Sequence, residues 1–293
     1  MIVDVKDDPF GLCHVWSATL DIYKAFALVC DKYGLRHTLA YGTLLGAVRH
    51  GGFIPWDDDF DVHMPREDYE RFRRIAYKDL PSFYGFVTSN NTPTYPAFYG
   101  KIQETRESVL QKIEMSSGYK RPHGIYIDIF PVDDVPDSMA KKLNLFIAGR
   151  SLSFLHYYMF STHRPARLRD RICMLIGGVV ALAFPGILTL RDYIKHCERL
   201  LYEVKTDGIE GQCGRYYEPR GYYAWKLPKK SFRDIRCLDF CGMNLPVMAD
   251  YDSYLRQNFG DYMSLPPKGR QIPSHADIFV ADWRLGPTTN EEP

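Results

Sequence analysis

The run Tyr41-Gly42-Thr43-Leu44-Leu45-Gly46, followed closely by Trp56-Asp57-Asp58-Asp59-Phe60-Asp61-Val62, decides how this chain is read. A glycine-rich turn comes first, and four carboxylates then crowd into five positions among apolar neighbours. Two unit charges about 4 Å apart interact with about 4 kcal/mol at an effective dielectric near 20. Anionic carboxylates held that close need a cation or a captured proton, and a divalent metal is the usual answer. The bland alternative is an exposed acidic turn, and the apolar neighbours weigh against it. Alternation sharpens the reading. Over 60–64 the side chains alternate in the strand manner, with Asp59, Asp61 and His63 on one face and Phe60 and Val62 on the other. Pro65 breaks the strand.

Working outward, 14–33 reads as an amphipathic helix. Trp16, Leu20, Tyr23 and Ala27 make one apolar row, Ile22, Phe26, Val29 and Tyr33 the next, and Gly34 is placed to cap the end. A strand over 35–41 then leads through Gly42-Thr43 into a short helix ending at Val48. Downstream, 67–76 is a helix whose Tyr69, Phe72 and Ile75 or Ala76 face the core. Strand-like pieces follow at 85–88, 97–104 and 108–113. Ile125-Tyr126-Ile127-Asp128-Ile129-Phe130 has strong β-propensity and is expected to end at Pro131. Asp128 interrupts that apolar strand on the face of Tyr126 and Phe130. A buried, unpaired carboxylate is expensive, so Asp128 predicts a partner, with a metal or a substrate proton favoured over a structural salt bridge.

From 137 to 208 the pattern changes to long helical stretches. Residues 172–190 are nearly uncharged, with Arg164, Arg167, Arg169 and Arg171 ahead of them and Arg191 behind. A membrane span needs about 20 apolar residues. Gly177-Gly178 and Pro185-Gly186 interrupt a barely sufficient run, so a buried helix, or one lying in the membrane interface with a basic rim, fits better. Beyond Gly208 the chain returns to short strand-like pieces, and Asp250 is expected to cap a helix running to Phe259. The expected organisation is a core over 1–136, a helical insertion over 137–208, and a C-terminal part over 209–293 that completes the catalytic domain. A formal net charge of +1 argues against nucleic-acid binding through bulk electrostatics. Seven scattered cysteines lack zinc-site spacing and suit a reducing, cytoplasmic compartment.

These motifs, with Phe53-Ile54-Pro55 before the acidic run and Gly260-Asp261-Tyr262-Met263, Leu265-Pro266-Pro267 and Ser274-His275 near the end, resemble the LicD family. That family includes bacterial phosphocholine transferases and is related to fukutin and fukutin-related protein. The resemblance runs from about Tyr33 to about His275, and it rests on several ordered motifs, which a lone DxD would not match in specificity. It implies an α+β fold: a nucleotidyltransferase-like mixed sheet flanked by helices. Gly42 and Thr43 fill the turn, Asp59 and Asp61 the strand pair, and Asp128 the third carboxylate position.

The resemblance implies transfer of a substituted phosphate, phosphocholine or a polyol phosphate, from a CDP-alcohol donor to a glycan or lipid-linked glycan hydroxyl. Asp59, Asp61 and Asp128 are the expected catalytic and metal-binding residues. Two such carboxylates suit Mg²⁺, with Mn²⁺ as a substitute, because Mg²⁺ takes its other ligands from water and phosphate. Asp128 completes the metal site, takes the acceptor proton, or does both. The amides after Gly42 and the helix N-terminus suit a diphosphate, with Arg49 and Lys101 as clamps. His275 is an acid, a base, a phosphate contact or a structural histidine. Asp57 and Asp58 are read as loop support. A cytoplasmic enzyme touching the inner face of the cell membrane through 164–191 is expected. Two rivals stand: a DxD metal-dependent glycosyltransferase using a nucleotide sugar, and a non-catalytic glycan-assembly partner at the membrane surface.

Overall fold

The computed structural model describes residues 8–88, 90–92, 99–104, 107–109, 124–135, 138, 172, 175–176, 212–214, 225–273 and 280–282. The expected insertion over 137–208, its apolar segment and His275 therefore lie almost wholly outside the described residues.

The first helix, α1 (Cys13–Tyr33), buries Trp16, Leu20, Ile22, Tyr23, Phe26 and Val29 of the two predicted rows, while Ala27 and Tyr33 are only partly buried. Gly34 ends it at φ 61°, a left-handed position that glycine takes without a Cβ penalty. The chain then forms β1 (Thr38–Leu39), α2 (Tyr41–His50), β2 (Asp61–Pro65) and α3 (Arg66–Arg74). Strands β3 (Tyr84–Val87), β4 (Gly100–Glu104), β5 (Glu107–Val109) and β6 (Tyr126–Asp134) follow. Next come β7 (Gln212–Gly214), β8 (Lys226–Pro228), the hairpin β9 (Ile235–Phe240) and β10 (Met243–Met248), α4 (Tyr251–Phe259) and β11 (Val280–Asp282).

The main sheet has the order β1-β2-β6-β4-β3, and β7 and β8 continue from the far end of β6. Only the β2–β6 pair among these is parallel, so the sheet is mixed and the fold is α+β. One face carries Val62, Met64, Ile102, Ile127 and Ile129, all fully buried. On that side Phe26 of α1 meets Phe72 of α3 at 5.2 Å between ring centroids.

Four expectations change. Strand β6 does not end at Pro131 but runs to Asp134, with Pro131 aligned to Met64. Its pairing with β4 stops at Ile129, so the missing N–H falls where that edge has opened. Helix α3 ends at Arg74, and Ile75 turns out to solvent at 47% exposure instead of facing the core. Asp250 occupies the N-cap position of α4, but its carboxylate accepts the Ser231 hydroxyl and makes no cap bond to the helix. The stretch read as a strand over 35–41 is paired only at Thr38–Leu39.

Two arginine contacts lock α3 onto β6. Arg66 Nε and Nη2 donate to the two carboxylate oxygens of Asp133 at 2.6 and 3.0 Å. Glu70 lies 3.5 Å from the same guanidinium, and all three residues are buried. Burial pushes the Asp133 carboxyl above its ordinary value, with Arg66 opposing the shift.

Candidate active site

The register of three adjacent strands lays out the site as a grid. Asp61 of β2 is aligned with Asp128 of β6, and Asp128 with Lys101 of β4. One row along, His63 is aligned with Phe130. Tyr99, just ahead of β4, continues that row, its ring centroid 4.4 Å from that of Phe130. Tyr126, in the row on the other side of the charges, is aligned with Gln103. Since side chains alternate along a strand and neighbouring strands lie about 4.8 Å apart, a charged row sits on one face between the aromatic His63–Phe130–Tyr99 row and the Tyr126–Gln103 row.

The charged row is enclosed. Asp61, Asp128 and Lys101 are 6%, 7% and 7% exposed. Lys101 Nζ lies 3.4 Å from Asp128 Oδ1 and 3.4 Å from the Tyr126 ring centroid. The partner expected for Asp128 thus includes a lysine of the chain itself. Buried charges persist when paired or bound to a metal, and in this row Lys101 pairs with Asp128.

Helix α2 stands over the row and positions it. Thr43, buried in the first turn, accepts the backbone N–H of Asp61 on its hydroxyl oxygen at 2.8 Å. This tie fixes where β2 begins. The sequence placed Gly42 and Thr43 in a turn ahead of the helix; they are instead inside it, after Ala40 as N-cap. A Cβ on Gly42 would stand 2.3 Å from Asp57 Oδ2, so the glycine makes room for that carboxylate. Asp57, read as loop support, therefore puts negative charge at the positive end of α2. A donor diphosphate attracted to the same helix end must share it with Asp57.

Tyr41, the first residue of α2, has φ 39°, a left-handed value costing about 1–3 kcal/mol for a bulky residue. Three contacts hold it there. Its N–H donates to the Tyr254 hydroxyl at 3.1 Å, its own hydroxyl accepts Trp225 Nε1 at 3.4 Å, and its ring packs 5.5 Å from Phe130, edge to face. The Tyr254 hydroxyl also lies 3.0 Å from Nε2 of the fully buried His63. Alternation had placed His63 on the face of Asp61. Nothing in the local pattern announced the link to α4.

The remaining predicted residues are spread more widely. Asp59 lies just ahead of β2, not within it, although Phe60 O already accepts the Asp128 N–H at 2.9 Å. Arg49 is seven residues beyond Gly42, about 10 Å along the helix axis. Its Nη1 donates to the carbonyls of Tyr262 and Ser264 at 2.8 and 3.4 Å, tying the segment after α4 to α2. Those contacts give Arg49 a structural role beside the phosphate-clamp role expected of it.

Among the described residues, no three His, Cys, Asp or Glu side chains are grouped to hold a metal ion by themselves. The donor chemistry fits a hard cation nonetheless. Asp61 and Asp128 present buried carboxylate oxygens side by side, and Mg²⁺ is commonly held by one or two carboxylates with water and substrate phosphate completing its octahedron. Cys213, Cys237 and Cys241 do not converge on a zinc site.

A family model described as the LicD/FKTN/FKRP nucleotidyltransferase domain matches residues 34–165. Lipopolysaccharide cholinephosphotransferase LicD of Haemophilus influenzae is 30% identical over 267 residues, spanning 87% of this chain and 92% of that protein. The chain belongs to the LicD family. Human ribitol 5-phosphate transferase FKRP is 40% identical over 62 residues, 20% of this chain and 12% of that relative. Within the LicD family domain fall α2, β2, β4 and β6, the elements that carry the charged row. No helix among the described residues is long and apolar enough to cross a membrane.

Proposed function

We propose that this chain transfers a substituted phosphate, phosphocholine or a polyol phosphate, from a CDP-activated alcohol to a hydroxyl of a cell-surface glycan or its lipid-linked precursor. The observation that carries the reading is the buried Asp61–Asp128–Lys101 row beneath α2 in a chain of the LicD family. In the reaction the acceptor oxygen forms a bond to the transferred phosphorus, and the bond from that phosphorus to the oxygen of CMP breaks. CMP leaves with the electron pair. Asp61 and Asp128, with Asp59 ahead of the strand, are the residues that would hold Mg²⁺ or Mn²⁺, and the metal would supply neutralisation of the diphosphate charge. Lys101 adds a fixed positive charge beside them. In the same proposal Asp128 accepts the acceptor's hydroxyl proton. Thr43 acts through the Asp61 backbone, as a positioning residue. Work at the inner face of the cell membrane, with peripheral contact through 164–191, belongs to the same proposal.

Mass spectrometry of products tests the reading, with CDP-choline, CDP-ribitol and CDP-glycerol offered beside UDP-sugars in the presence of Mg²⁺. Release of CMP with one alcohol phosphate gained by the acceptor is expected. Turnover of UDP-sugars alone would instead establish the glycosyltransferase alternative. Binding of every donor without turnover would favour the scaffold.

A further inference from the structure

Helix α2 is gripped near both ends by the segment 254–264. Arg49 Nη1, near its far end, donates to the Tyr262 carbonyl, and the Tyr41 N–H, at its start, donates to the Tyr254 hydroxyl at 3.1 Å. Both contacts join residues 213 apart in the chain, so neither belongs to the local folding of the helix. The Tyr254 oxygen also lies 3.0 Å from Nε2 of His63, and both side chains are fully buried. A phenol hydroxyl accepts and donates, so this one group joins α4, the first residue of α2 and the middle of β2. Tyr41 needs such a hold. At φ 39° it occupies the left-handed region, which a bulky residue keeps only when its surroundings over-determine it. Two residues on, in the same turn, Thr43 takes the Asp61 N–H. Two residues along β2 from Asp61, on the same strand face, stands His63. Tyr254 thus reaches Asp61 by two short routes, one through α2 and one through β2.

We propose that Tyr254 is a positioning residue for the transfer reaction. By holding Tyr41 in its strained conformation, its hydroxyl sets where the first turn of α2 stands, and with that turn the Asp61 carboxylate. The inference rests on the phosphate-transfer reading above and deepens it. It places a working residue in α4, outside the residues 34–165 that match the family domain. Misplacing a reacting group by about 1 Å costs about a hundredfold in rate, so a small relaxation of Tyr41 is felt in turnover. The effect falls on kcat, because alignment of the reacting groups counts in the transition state more than in donor binding.

Tyr254→Phe keeps the buried ring and deletes only the oxygen. Two readouts on the full chain test the proposal, and one of them needs no substrate. In hydrogen exchange the Tyr41 and Asp61 amides are expected to exchange about tenfold faster than in wild type, while the amides of α1 keep their rates. In steady-state kinetics kcat is expected to fall about tenfold or more, with KM for the CDP-alcohol within about twofold. Tyr41→Gly supplies the cross-check, since glycine holds φ 39° without strain. In that background, adding Tyr254→Phe should lower kcat by no more than about twofold, whereas a hydroxyl that merely supports the fold would cost the same in both. Unchanged exchange at Asp61 overturns the inference whatever the reaction is. So does a loss of kcat that Tyr41→Gly leaves undiminished, or a rise in KM with kcat unmoved. If wild type turns over no CDP-alcohol, the donor reading falls instead, and exchange at Asp61 decides the positioning by itself.

Discussion

At the residue scale the most consequential single atom is the Thr43 hydroxyl oxygen. It is the acceptor for a buried Asp61 N–H, and removing it leaves that donor without a partner at the edge of the site. An unsatisfied buried amide costs about 1–3 kcal/mol. Thr43→Val, which conserves shape, is expected to lose stability by that amount and to lower kcat more than it raises KM, because Asp61 shifts while the donor's contacts elsewhere persist. Thr43→Ser should restore both. Chemical denaturation and steady-state kinetics on the pair would decide it. A second residue sets a pH dependence. His37 is enclosed beside Tyr23, and burial pulls its imidazole down to about 4 from its ordinary 6.5. Below pH 6.5 the unfolded chain takes up a proton that the folded chain refuses, so stability rises with pH across this window and falls as pH drops toward 4. Between pH 7 and pH 5, above most carboxylate titration, the loss is expected to be about 2 kcal/mol in urea-unfolding experiments. His37→Gln should flatten that slope.

At the scale of elements, the site depends on β2 and β6. Alternation in 59–63 correctly put Asp61 and His63 on one face, and the lone carboxylate in an apolar run identified β6. Those features are local, and local patterns are what a sequence displays. The register between the strands is not local. That Asp61 meets Asp128 follows from a parallel pairing across more than sixty intervening residues, and that Asp128 meets Lys101 follows from the antiparallel pairing of β6 with β4. The same gap explains the misreading of Pro131, whose tolerance depends on where β4 stops pairing. Gly42 reads as turn chemistry in isolation, and only the position of Asp57 shows it to be a matter of space. Elements also impose their own prediction. The Arg66–Asp133 fork joins α3 to the half of β6 beyond Pro131. Arg66→Met keeps the length of the side chain but strands a buried carboxylate, which is expected to cost about 3–5 kcal/mol. Asp133→Asn in the same chain should recover part of the loss, and a double-mutant cycle by denaturation measures the coupling.

For the whole molecule, the charged row sets stability against activity. Asp61 and Asp128 stand side by side as two buried carboxylates, and their mutual repulsion works against the fold. Two carboxylates about 5 Å apart at an effective dielectric near 20 repel by about 3 kcal/mol before screening and hydrogen bonding reduce the figure. Asp61→Asn is therefore expected to raise the melting temperature of the metal-free protein while abolishing turnover, the pattern of a site that is costly to the fold and retained for chemistry. The proposed metal adds a second arm. Millimolar Mg²⁺ should raise the melting temperature of wild type, because a ligand that binds only the folded state stabilises it by mass action. It should leave Asp61→Asn and Asp128→Asn nearly unmoved. The two arms separate cleanly. Stabilisation by Asp61→Asn without any Mg²⁺ response in wild type would leave the repulsion intact and reject the metal assignment. A Mg²⁺ response that persists in both variants would place the metal away from this row, and the transfer chemistry would have to move with it.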